Sequence, residues 1–167
     1  MDSTAAGKAQ AQEMETPKPQ TFSLKAPYVK EGHVTQRLAQ TRDMGIRVMV
    51  NASSDENEFH THLDIDHTFI VLEGELTIVD PQGKEYVVKP YQGILIPKGA
   101  YYRYLVSAKK NTVMLRISAK VRDYPHQGSG HDLAVKLDGT NVLSLAENTK
   151  RKPIMTGKFF AESSGLD

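Results

Sequence analysis

Residues 59–74, FHTHLDIDHTFIVLEG, set three of the chain's six histidines within eight positions and run from them directly into an apolar, β-branched segment. On an extended strand, residues two apart face the same side, so His60 and His62 project together while Thr61 points away. His67 opens the next run, HTFIVLEG. If that strand lies beside the first, its imidazole enters the same interior at the same level. Taken singly, His60 and His62 read as surface residues of a loop, and His67 as a hydrogen-bonded core histidine. Taken together they call for a common partner, because three imidazoles facing one interior are costly without one.

Outward from this stretch the same texture continues. TFSLKAP (21–27), VTQRLAQ (34–40), IRVMVNA (46–52), ELTIVD (75–80), EYVVKP (85–90), GILIP (93–97), YYRYLVS (101–107) and NTVMLRISAK (111–120) are short, apolar or alternating, and rich in β-branched and aromatic residues. Turn chemistry separates them at Glu73-Gly74, at Asp80-Pro81-Gln82-Gly83-Lys84 and at Pro97-Lys98-Gly99. No window before residue 120 carries helical periodicity, so the reading is an all-β sandwich or barrel of consecutive antiparallel hairpins. Residues 1–20 lack aromatic residues, Val, Ile and Leu, and are expected to be a disordered tail. Residues 21–125 form the β domain. Residues 126–167 form a short irregular or partly helical extension that packs on it, with HDLAVKLDG as a further strand and LSLAENTK as a short helix.

At 167 residues the chain has room for one ordinary domain. Its 21 basic and 20 acidic residues leave a formal charge of +1, which points neither to nucleic acid nor to an anionic membrane. With no cysteine, thiolate metal sites, disulfides and cysteine nucleophiles fall away together, and any metal must bind through nitrogen and oxygen. The N-terminus has no apolar h-region and no segment reaches the ~20 apolar residues of a spanning helix, so the expected location is the cytoplasm.

Two segments resemble the motifs of the cupin superfamily, G-x5-H-x-H-x4-E-x6-G and G-x5-P-x-G-x2-H-x3-N. The first agrees at His60, His62 and Gly74 and departs at Ser54, in place of glycine, and at His67, in place of glutamate. The second agrees at Pro97 and Gly99 and departs at Tyr91, Tyr102 and Val106. The resemblance covers about residues 45–118. It implies a double-stranded β-helix, or jelly-roll, barrel with a ligand or metal in its mouth, commonly in a homodimer. It does not choose a reaction, since the superfamily spans oxygenases, lyases, isomerases, epimerases and binding proteins.

The departures therefore carry the chemistry. Carried over from the motif, His60, His62 and His67 would be the ligands of one divalent transition metal: Fe, Zn, Cu, Ni, Co or Mn. Three neutral imidazoles leave the ion its full charge, which favours an anionic substrate. Tyr102, at the usual fourth position, has three readings: phenolate ligand, catalytic acid or base, or aromatic wall. Tyr104 shares its face and lines the cavity or merely packs. Arg47 and Arg116 sit in apolar strands, where each either points inward to grip a substrate carboxylate or outward into solvent. Asp64 and Asp66 flank His67 and could orient imidazoles. His126 and His131 bracket a glycine-rich loop that could act as a lid, and His33 has no partner nearby in sequence.

Three functions compete. The first is a metal-dependent cupin enzyme acting on a small anionic molecule, by dioxygenase or by lyase, isomerase or cyclase chemistry; the three-histidine set resembles that of thiol dioxygenases and some diketone-cleaving cupins. The second is a metal-free enzyme resembling the epimerase cupins, with a His/Tyr acid–base pair. The third is a cupin that binds a small ligand without catalysis.

Overall fold

The computed structural model describes residues 18–120, 134–139, 141–142 and 152–160. These hold strands β1 (Pro27–Glu31), β2 (His33–Gln40), β3 (Met44–Asn51), β4 (His60–His62), β5 (Ile65–Glu73), β6 (Leu76–Val79), β7 (Glu85–Val88), β8 (Gly93–Ile96), β9 (Arg103–Val106), β10 (Thr112–Lys120), β11 (Ala134–Lys136), β12 (Asn141–Val142) and β13 (Ile154–Phe159). No helix occurs among the described residues, so the fold is all-β. The expected helix at LSLAENTK, the histidines His126 and His131, and the tail up to residue 17 lie outside them.

One wall of the barrel is the antiparallel sheet β2-β3-β10-β5-β8. The facing wall joins β7-β6-β9 to β4-β11-β12 through two bridges, Glu56–Leu105, between the segment before β4 and β9, and His60–Tyr102, between the start of β4 and the residue before β9. Between the walls lies a core of Met49, Phe69, Val71, Leu76, Ile78, Val88, Ile96, Tyr102, Tyr104 and Met114. The β1–β13 ribbon covers the outer face of the larger sheet, burying Ala26, Val29, Val48, Val50, Val113 and Phe160. The period of two is visible along β3 and β10. Met49 and Met114 point into the barrel, while Val48, Val50 and Val113 point to the outer layer.

Two expectations are corrected. The run TFSLKAP is not a strand before Pro27; Leu24 and Ala26 bury in the outer layer without a ladder, and Gln20 instead bonds the Gln40 backbone through both ends of its amide. Nor are the hairpins consecutive. β2–β3 and β6–β7 pair as neighbours in sequence, but β5 and β6 lie in opposite walls. A barrel closed by two sheets must send successive strands across the core, and Glu73-Gly74 is such a crossing. Gly74 has φ +78°, and a Cβ there would meet the Asn111 carbonyl oxygen at 2.7 Å and Thr112 Cα at 2.8 Å, so this crossing requires glycine.

Ser54 and Tyr91, where the cupin motifs carry glycine, keep the left-handed backbone, with φ of 63° and 66°. Each non-glycine residue held there costs of order 1–2 kcal/mol.

Candidate functional site

β4 is a three-residue strand, and β5 follows it after the turn at Leu63-Asp64. The two are not neighbours in a sheet: β4 pairs with β11, and β5 with β10 and β8. His60 and His62 therefore reach His67 from opposite walls rather than from adjacent strands, and all three are buried, none more than 2% exposed. The ring centroids of His60 and His62 lie 5.1 Å apart and those of His62 and His67 4.6 Å apart, edge to face. Tyr102 stands among them, 4.5 Å from His60, 5.4 Å from His67 and 6.4 Å from His62. Its backbone exchanges two 3.0 Å hydrogen bonds with that of His60, which sets the ring's depth in the barrel.

Arg116 is 2% exposed and projects inward with Met114 on β10. Its Nη2 approaches Nε2 of His62 at 3.5 Å. Arg47 lies directly across the β3–β10 ladder from it, on the same inner face as Met49, and is half-buried. The inward orientation of both arginines is thus observed.

Electrostatics keep the imidazoles neutral. Burial holds His67 down to about 2, with the charge of Arg116 adding to it, then that of His60. For His62 burial acts first and the Arg116 guanidinium second, and its value falls far below the ordinary one. His60 is lowered by burial too, partly opposed by its bond to the Glu58 carbonyl. That bond, 2.9 Å from Nδ1, makes Nδ1 the donor and leaves the lone pair on Nε2. His62 Nδ1 and both nitrogens of His67 are buried without a hydrogen-bond partner.

In donor type this cluster fits a borderline divalent cation: the imidazoles are neutral and out of water, and Nδ1 of His62 and both nitrogens of His67 have no hydrogen bond. In position it falls short. Among the described residues no group of three His, Asp or Glu side chains stands where it could hold one ion. The His62 nitrogen that accepts from a guanidinium, Nε2, is also the one whose lone pair a cation would take.

Tyr104 is brought elsewhere. Its ring is in the core, but its hydroxyl donates to Asp55 at 3.3 Å and accepts from the Asn51 amide at 3.1 Å. Asn51 also donates to Asp55 at 2.8 Å, and Nδ1 of His33 lies 3.2 Å from the same carboxylate oxygen. Burial, then the Asp55 charge, push the Tyr104 phenol well above its usual value. The sequence reading missed this cluster: His33 has its partners 22 and 71 positions away, and NASSDEN carries only a turn signal. Asp66 accepts from the Lys98 backbone N–H, which ties the turn after β8 to the start of β5. Asp64 is buried.

The barrel agrees with the comparisons. Residues 46–118 match the sequence model of the family described as Cupin domain. It is 39% identical over 75 residues to the uncharacterized protein YdbB of Bacillus subtilis, a match covering 45% of this chain and 65%, just under two thirds, of that relative. Among solved structures it is similar to TT1209 from Thermus thermophilus, with a TM-score of 0.52 at 20% identity over 57% of this chain and 90% of that one. It is similar also to KdgF from Halomonas sp., with a TM-score of 0.50 at 15% identity over 55% and 82% of the two chains. At these identities the likeness concerns the fold. No helix among the described residues is long and apolar enough to cross a membrane.

Proposed function

We propose that the barrel binds a small anionic organic molecule together with one divalent transition metal, for which His60, His62 and His67 supply the donor type and must shift to converge on one ion. The observation that carries this reading is the set of buried imidazole nitrogens without hydrogen bonds on His62 and His67. Each such atom costs about 1–3 kcal/mol if nothing engages it, and a metal or ligand would relieve that cost. When bound, the ion would supply Lewis acidity for either oxygenase or lyase, isomerase or cyclase chemistry. The chain's own contribution would be positional: Arg116 would orient an anionic group beside the imidazoles, the core wall of Phe69 and Met114 would keep water out, and Tyr102, whose ring stands among the imidazoles, would give or take a proton. Elemental analysis of untagged protein tests it. Near-stoichiometric metal that disappears in His62→Ala supports the proposal, and metal-free wild-type protein sinks it.

A second reading has its own support. The contact of Arg116 with Nε2 of His62, and donors not set for one ion, favour a metal-free pocket in which imidazole and Tyr102 face an anion held by Arg116. Under that reading metal is absent, and organic anions stabilise the protein in the presence of a chelator.

A further inference from the structure

Where the β1–β13 ribbon meets the larger sheet it leaves a cavity of about 380 Å³, a volume that suits a small molecule. Its lining comes from separate parts of the chain. Tyr28 lies on β1, Glu73 at the end of β5, Lys110 and Asn111 just before β10, and Thr156 and Lys158 on β13. None of these belongs to the histidine cluster. His67 stands near the start of β5 and Glu73 at its last position, about 20 Å away along the strand.

The cavity combines a fixed frame with unanswered charge. Asn111 holds the Val29 backbone through both ends of its amide, at 2.8 Å each, which locks β1 against the segment before β10. The Tyr28 hydroxyl donates to Oε2 of half-buried Glu73 at 2.6 Å and so fixes the direction of that carboxylate. Thr156 Oγ1 accepts from the Lys158 N–H at 3.1 Å, which leaves its own hydrogen to donate. Lys110 and Lys158 are exposed, and among the described residues neither ammonium has an ionic or hydrogen-bonding partner. Two unpaired cations thus face a lining with one carboxylate, and that carboxylate is already held by Tyr28.

We infer that this cavity binds a small organic phosphate monoester bearing a hydroxyl group, with its phosphate between Lys110 and Lys158 and its hydroxyl on Oε1 of Glu73. Two ammoniums match the charge of about −1.5 to −2 that a monoester carries at neutral pH, and lysine serves phosphate as a compact point charge. A monocarboxylate brings only one charge to the pair. Glu73 accepts a proton donor from the ligand's body and repels a second anionic group, so the body is neutral and hydroxylated. The aliphatic stems of the lysines and the Tyr28 ring offer apolar surface to its carbons.

The test is titration calorimetry of the full-length protein as purified, at about physiological salt, with glycerol 3-phosphate against inorganic phosphate, glycerate and glycerol. Glycerol 3-phosphate should bind at least about fivefold more tightly than inorganic phosphate or glycerate, and glycerol should not bind. Lys110→Gln and Lys158→Gln should each weaken its binding by about five- to tenfold, and Arg at either position should restore most of it. Both ammoniums are exposed and hold no other group, so the urea midpoint of these variants should stay that of the wild type. Glu73→Gln, whose amide oxygen still accepts from Tyr28, removes the repulsion and should bring inorganic phosphate to within about twofold of glycerol 3-phosphate. Failure of glycerol 3-phosphate to bind overturns the inference, as does an affinity unchanged in both Lys→Gln variants, which would place the ligand elsewhere. Inorganic phosphate or glycerate binding as tightly as glycerol 3-phosphate overturns it too, and so does a preference that Glu73→Gln leaves unmoved. Each of these results leaves the reading of the imidazole cluster standing, because the two share no residue.

Discussion

Two buried polar clusters share the interior of this barrel, and they are built on opposite principles. Around Asp55, most groups answer another: Asn51 and Tyr104 donate to the carboxylate, His33 lies against it, and Asn57 ties the Tyr104 backbone through a 2.7 Å bond, while Asn51 Oδ1 is left without a hydrogen bond. Around His62, its Nδ1 and both nitrogens of His67 find no hydrogen bond, and the Arg116 guanidinium stands against its Nε2. A satisfied network stabilises a fold, whereas an unsatisfied one is retained against its cost. The first cluster is architecture, and the second carries the proposed function.

The difference can be broken most forcefully with pH. The unfolded chain protonates its histidines below about 6.5, whereas the buried ones stay neutral, His67 down to about 2. Below pH 6.5 the unfolded state therefore binds more protons, and chelator-treated protein should lose about 1.4 kcal/mol per pH unit for each histidine that remains neutral. The Asp55 cluster sets the opposite limb. Because the folded Tyr104 phenol ionises well above 10, stability holds up to about pH 10 and is lost as pH rises further and the unfolded phenol gives up its proton. Urea denaturation from pH 3 to 11 checks both limbs, and a flat acid side would contradict the neutral-imidazole description.

Single substitutions should separate the clusters next. Asp55→Ala strands the Asn51 amide and the Tyr104 hydroxyl and should cost about 3 kcal/mol in equilibrium denaturation. His67→Leu removes a buried ring whose nitrogens are unbonded and puts an apolar chain in its place. Chelator-treated protein should then be unchanged or more stable by about 1 kcal/mol, while metal content drops to background. A loss comparable to that of Asp55→Ala would show the imidazoles to be structural after all. The smallest effect lies in the loop that delivers Asp55. Ser54→Gly relieves a left-handed backbone at the price of a freer unfolded chain, for a net gain of about 0.5 kcal/mol in thermal unfolding, and Tyr91→Gly should behave alike at the other rim.

Much of this was legible in the residues. The strands from VTQRLAQ to NTVMLRISAK stand where the alternation placed them, within a few residues at each end, because a sheet with one face buried writes its period into the sequence. The pairing of those strands was not legible. Hairpins and sheet crossings use the same turn residues, and Gly74 reveals its role only through the Asn111 and Thr112 backbone that it approaches. Within the site, His60 and His62 could be placed on one face from their spacing alone. That His67 faces them from the other wall depends on β5 pairing with β10 and β8, a relation between segments tens of residues apart.

By itself, the order of amino acids determined the class of fold, the inward parity of the histidines and the nitrogen and oxygen character of any metal donor, all of which follow from local periodicity and side-chain chemistry. Tertiary structure alone decided that Arg116 meets His62, that Arg47 faces Arg116 across a ladder, and that Tyr104 serves Asp55 rather than the imidazoles. Those contacts are matters of register between strands distant in the chain, and register is set by how the whole barrel closes over its core.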